Sequence, residues 1–183
     1  VKGVAGYDLC GLMVGSEGTL GVVTMARLKL RPLPPPPTTV VAMFDSVAAA
    51  GRAVERIMSQ TTPSLLELMD QASLRAVEEW RPMGLRLDSA AMLVGQSDLP
   101  GVAGATEASL MVRACEEAGA SESYQSEDPE QADLLLGARR MVIPALEARG
   151  DWLLDDMAVP RTRLADAVAG IEQIAAERRV MIG

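Results

Sequence analysis

Thr38–Gln60 reads TTVVAMFDSVAAAGRAVERIMSQ, and this stretch sets the grammar of the chain. Its first seven residues, Thr38 to Phe44, form a short β-branched and apolar run that suits a strand. Asp45 and Ser46 interrupt it. Ser46 carries the side chain of a helix N-cap, whose oxygen takes up a backbone N–H that the first helical turn leaves unpaired. Val47, Ala50, Val54, Ile57 and Met58 then recur at helical spacing. A strand passing straight into an amphipathic helix is a building unit of sheet-and-helix domains.

The unit repeats downstream. PSLLELMD (63–70) is strand-like and QASLRAVEEW (71–80) helical. SAAMLVGQS (89–97) is the next strand, and TEASLMVRACEEAG (106–119) a helix closed by Gly119. SESYQSE (121–127) reads as a short strand. DPEQADLLLGARRMVIPALEA (128–148) opens with Asp128 and Pro129 at N-cap and N1, and is expected to kink or end near Pro144. WLLDDMAVP (152–160) is strand-like, RTRLADAVAGIEQIAAERR (161–179) is an amphipathic helix, and the closing VMIG looks like the start of a further strand. This alternation predicts one sheet with helices packed on it. An enlarged ferredoxin-like split βαβ arrangement satisfies it, and so, on rhythm alone, does a doubly wound fold.

Upstream the character changes. RPLPPPP holds a proline-rich run from Pro32 to Pro37, a stiff extended spacer and the best candidate for a boundary. The expected organisation is 1–31, a linker at 32–37, and a second domain over 38–183. Val22 to Leu30 alternates well enough to predict a half-buried strand. Ahead of it lies GYDLCGLMVGSEGTLGVVT, Gly6 to Thr24, with Gly6, Gly11, Gly15, Gly18 and Gly21 set among Leu, Met and Val. The glycine spacing does not fit a Rossmann turn, and no Gly-Lys-Ser/Thr completes a Walker loop. Glycine here serves either a tight turn packed beneath a sheet or a bare wall against which a planar cofactor lies.

Composition narrows the function classes. The chain has 183 residues, 49% hydrophobic but only 3% aromatic, so its core is built from Ala, Val, Leu, Ile and Met. Met43, Met58, Met92 and Met111 are read as core filler. A net charge of −8 argues against a nucleic-acid surface. No apolar run reaches membrane length. The two cysteines, Cys10 and Cys115, are far apart and suggest neither disulfide nor metal framework, which fits a cytoplasmic location. Histidine is absent altogether, removing the commonest general base and metal ligand. The first residue is not Met, and the chain is expected to be a piece of a longer protein.

The glycine segment resembles the end of the FAD-binding domain in FAD-linked oxidases of the vanillyl-alcohol oxidase type, in particular the group of the glycolate oxidase D-subunit, D-lactate dehydrogenase and D-2-hydroxyglutarate dehydrogenase. The matching pattern is Gly6-Tyr7-Asp8-Leu9 followed by Gly15 to Thr24. The resemblance continues in LLELMD (65–70), LLGARRMVIPAL and DDMAVPRTRL, and is weakest between about residues 70 and 125. It implies an α+β fold: a ferredoxin-like cap domain, an antiparallel sheet with helices packed on it, preceded by the C-terminal tail of an FAD-binding domain. It implies FAD as cofactor, with Gly6, Gly15, Ser16, Glu17, Gly18, Gly21 and Val22 as cofactor-binding positions. It also implies oxidation of a small-molecule D-2-hydroxy acid, glycolate or D-lactate in type, to a 2-oxo acid by hydride transfer to FAD.

Arg139 matches the family arginine that binds the substrate carboxylate; the alternative is a surface helix charge. An arginine fork can hold a carboxylate through two parallel hydrogen bonds. Where some members carry a lysine, this chain has Leu154 and its acidic neighbours. Asp155 and Asp156 are paired carboxylates, more readily a turn tether than a base or metal site, and Arg161 and Arg163 are expected to cover a helix start. Cys10 is read as a small apolar residue. No catalytic or metal-binding residue is assigned, since the family's His-x-Gly-Asp-Gly-Asn segment has no counterpart here. Implied partners are an N-terminal FAD domain and an iron–sulfur electron-transfer subunit. As given, the polypeptide is expected to be inactive and to hold FAD weakly, if at all. The competing reading is a stand-alone ferredoxin-like module that binds a small acid without catalysis.

Overall fold

A computed structural model describes residues 4–30, 32–126, 129–155 and 157–182. The chain divides into two compact units, residues 1–33 and 34–183.

The second unit is an antiparallel sheet covered on both faces. Its strands are β1 (Thr38–Phe44), β2 (Leu65–Asp70), β3 (Ala91–Ser97) and β4 (Glu122–Ser126), in the order β2-β3-β1-β4. Every pairing is antiparallel, with Val41 opposite Val94 and Tyr124, and Leu68 opposite Leu93. This is the ferredoxin-like strand order, and it removes the doubly wound alternative, which needs parallel strands.

Double covering explains why β1 and β3 read as continuous apolar runs. Val40, Ala42 and Phe44 point to one face, with Ala91 and Leu93; Val41 and Met43 point to the other, with Met92 and Val94. A strand buried on both faces has no polar side to show. The first face is covered by α2 (Val47–Gln60) and α4 (Val102–Glu117), which contribute Val47, Ala50, Ile57, Ala108 and Met111. The second is covered by α3 (Gln71–Trp80) and α5 (Pro129–Glu147), through Leu74, Val77, Leu135 and Ala138. Phe44, the single Phe of the chain, is completely buried and contributes on the order of 2–3 kcal/mol.

The helix starts follow local chemistry. Ser46 Oγ accepts from Ala49 N at 3.2 Å, and Asp70 Oδ1 accepts from Ser73 N at 2.8 Å. α4 begins four residues before the predicted Thr106. Its N-cap is Gly101 with φ +56°, a conformation that needs no side-chain cap signal in the sequence. It ends as expected, with Gly119 at φ +94°. α5 carries Pro144 in its last turn and ends at Glu147, near the expected stop, while Asp128 lies outside the described residues. A 3-10 turn at Arg161–Arg163 leads into α6 (Leu164–Arg178), with Arg163 paired to Asp166 at 3.4 Å. α6 lies close against α2, where Gly51 leaves room for the Ala165 backbone.

Two predicted strands are absent among the described residues. Trp152–Pro160 and Val22–Leu30 carry strand-like patterns but have no ladder partner. Alternation reports a surface that could be half buried; pairing needs a second strand beside it. Leu153 is in fact fully open, 91% exposed. The closing residues 180–182 are likewise outside any strand.

Candidate functional site

In the first unit a five-residue helix, α1 (Leu9–Met13), is started by Asp8, whose Oδ1 accepts from Gly11 N at 2.9 Å. The chain then turns at Ser16, whose carbonyl accepts from Thr19 N at 2.9 Å and from Thr19 Oγ1 at 2.6 Å. The two residues between, Glu17 and Gly18, have φ of +47° and +78°, the pattern of a type I′ turn. A left-handed Glu is strained, since its Cβ crowds the backbone.

Gly6, Gly15 and Gly18 also have positive φ, and a Cβ placed on any of them would meet open space to 4 Å. Among the described residues no acceptor stands opposite the N–H groups of Glu17, Gly18, Gly21 and Val22. Among the described residues of this unit no strand lies beside the turn. Its bare backbone is open to approach. Gly6, Gly15, Ser16, Glu17, Gly18, Gly21 and Val22 all lie in this one unit; Ser16 is half-buried and the others are exposed. Cys10 is exposed on α1.

Arg139 lies in the second unit, on α5, above the sheet face lined by Leu65 and Met69. Its Nη2 is 3.1 Å from Glu67 Oε1 of β2. A depression of about 240 Å³ is lined by Glu67, Met69, Ser73, Arg139, Arg140 and Val142. In the sequence Glu67 stands inside LLELMD with nothing local to mark it as a site residue. Its position two residues from Met69 puts it on the α5 side of β2, a placement that strand alternation alone supplies. Arg140 lines the same depression and pairs with no carboxylate among the described residues. Two guanidinium groups and one carboxylate around a small hollow favour a small anion.

A larger cleft of about 510 Å³, between α6 and the starts of α2 and α3, is lined mainly by Val47, Leu68, Val168, Ile171 and Ile182, with Asp70 and Glu172. It contains none of the predicted site residues. No group of three or more Cys, Asp or Glu among the described residues is arranged to hold a metal ion. Asp155 is exposed, and Asp156 lies outside the described residues.

Two titrating groups are shaped by the fold. The Glu78 carboxylate accepts from the backbone N–H of Leu85 and Met83, both near 3.0 Å, and from Gly84, which holds it below the usual carboxylate range. Cys115, on the buried face of α4, has its thiol pushed up to about 12 by burial.

Residues 33–183 match the family of FAD linked oxidases, C-terminal domain. The chain belongs to this family. Over 99% of its length it is 35% identical to glycolate oxidase subunit GlcD of Bacillus subtilis, and over 92% it is 34% identical to the GlcD subunit of Escherichia coli K12. The mitochondrial D-lactate dehydrogenase [cytochrome] of Arabidopsis thaliana is 29% identical over 92% of the chain. These matches take in 39%, 34% and 30% of the respective relatives, so the chain spans well under half of each. The solved structure of an alkyldihydroxyacetonephosphate synthase superposes with a TM-score of 0.66 over 97% of the chain and 38% of that structure. At 18% identity this likeness carries the fold alone. Among the described residues no helix is long and apolar enough to cross a membrane.

Proposed function

We propose that this chain forms part of an FAD-dependent oxidoreductase that oxidises a D-2-hydroxy acid, of glycolate or D-lactate type, to the 2-oxo acid. The observation that carries the reading is the open backbone at Gly6, Gly15 and Gly18, which hold positive φ with nothing where a Cβ would stand. Such a surface fits a flat, phosphate-bearing nucleotide: the peptide plane can come within contact distance, and undonated N–H groups can meet ligand oxygens. Glu17, Gly18, Gly21 and Val22 offer these N–H groups, and Ser16 a hydroxyl. The residues present therefore fit a flavin.

In this reading residues 1–31 belong to the flavin side, 32–37 are a spacer, and 38–183 are the substrate side. When bound, FAD supplies the acceptor for the hydride that leaves the substrate α-carbon. The chain's own task is recognition. Arg139 binds the substrate carboxylate through its guanidinium fork, and Arg140 adds positive charge at the same depression. The GlcD names of two relatives support assembly as a subunit, and an iron–sulfur electron-transfer subunit in the cytoplasm is the partner proposed.

The test is a visible spectrum of the protein purified from its complete reading frame. Flavin bands that bleach with glycolate or D-lactate are the expected result. A colourless protein that takes up no FAD refutes the proposal.

A further inference from the structure

Building on the reading of Arg139 as the carboxylate-binding group, we infer that Glu67 is a positioning residue that presents this guanidinium to the substrate. Glu67 sits in the middle of β2, where its backbone is fixed by pairing to Val94 of β3. Arg139, by contrast, projects from α5 on a long, flexible stem and is 51% exposed. Left alone, such a side chain samples many rotamers, and binding must freeze them. The Glu67 Oε1–Arg139 Nη2 contact at 3.1 Å ties the moving group to the rigid one. The guanidinium remains half open at this contact, which leaves N–H groups for an incoming carboxylate.

The same pair could act in the opposite sense. If Glu67 competed with substrate for Arg139, removing its charge would tighten binding. Two features decide against this. The Arg139 side chain stays 51% exposed beside Glu67, so the carboxylate does not enclose the fork. Arg140, on the rim of the same hollow, also offsets the Glu67 charge, leaving the hollow net positive toward an anion.

The experiment measures KM and kcat for glycolate and D-lactate with the flavin-loaded protein from the complete reading frame, in Glu67→Gln, Glu67→Asp, Arg139→Gln and the double variant Glu67→Gln/Arg139→Gln. Loss of the Glu67 charge should raise KM about two- to fivefold, the range an exposed pair is worth, with kcat unchanged within about twofold. Glu67→Asp should recover part of the loss. In the Arg139→Gln background the Glu67 change should have no further effect, because it acts through Arg139. A fall in KM, or effects that simply add, overturns the assignment. Failure of the underlying reading looks different: Arg139→Gln then leaves KM unchanged, or the unsubstituted protein oxidises neither acid, and the role of Glu67 falls with it.

Discussion

Gly104 lies inside α4, and an alanine there offers the sharpest test of how closely this helix is set. A Cβ on Gly104 would stand 2.3 Å from the Leu99 carbonyl oxygen and 3.3 Å from its carbon. Real Cβ contacts keep beyond 3.0 Å, and the obstruction is backbone, not the end of a movable side chain. Two terms of opposite sign compete. Replacing glycine by alanine in a helix interior gains about 1 kcal/mol of propensity. Forcing atoms into a filled site costs about 1–3 kcal/mol, and more where backbone must shift. The clash wins: Gly104→Ala should lose about 2 kcal/mol net, lowering Tm by roughly 4–8 °C for a chain of this size. Gly170 in α6 is the matched control, because a Cβ there meets nothing within 4 Å. Gly170→Ala should gain about 0.5–1 kcal/mol and raise Tm by roughly 1–4 °C. Urea and thermal melts followed by circular dichroism measure both. A Gly104→Ala protein as stable as the parent would mean that the turn at Leu99 yields freely, and the reasoning would be refuted.

Glu78, with its carboxyl group held below the ordinary 4.5, contributes stability that is present above that value and fades as pH falls through the lowered one. Glu78→Gln should flatten this part of the acid limb and speed hydrogen exchange at Met83, Gly84 and Leu85 by roughly fivefold, from about 1 kcal/mol of screened charge-assisted bonding. Of the two thiols, Cys10 should react with an aromatic disulfide reagent in the native protein, while Cys115 should wait for unfolding, because burial holds its thiol near 12; prompt labelling of both would contradict this. Arg139→Lys keeps charge but loses the planar fork, and should raise KM for glycolate about tenfold in steady-state assays of the flavin-loaded protein.

Much of the second unit was legible because its elements carry their own punctuation. Ser46, Asp70 and Gly119 mark helix ends by local chemistry, and the apolar runs 38–44 and 91–97 are strands buried on both faces. What failed was what depends on a distant neighbour. Val22–Leu30 and Trp152–Pro160 have strand patterns, but a pattern cannot supply the strand that would pair with them. The early start of α4 was hidden because Gly101 and Gly104 look like loop residues until the backbone is seen pressed against Leu99. In the candidate site, Arg139 could be singled out by resemblance, whereas Glu67 became visible only when β2 and α5 were laid face to face.

The strand order leaves β2 and β4 at the margins of the sheet, each bonded on one side only. Such edges are templates on which another copy can crystallise into an aggregate. Both are short, six and five residues, and both carry acid: Glu67 and Asp70 on one, Glu122 on the other, the last held by Arg86. Stacking two copies along either margin would have to strip water from these charged groups, a built-in deterrent to edge-to-edge polymerisation. Neutralising those carboxylates, by acidification or by amide substitution, removes the deterrent while leaving the hydrogen-bonding rows intact. Loss of colloidal solubility should then precede loss of fold.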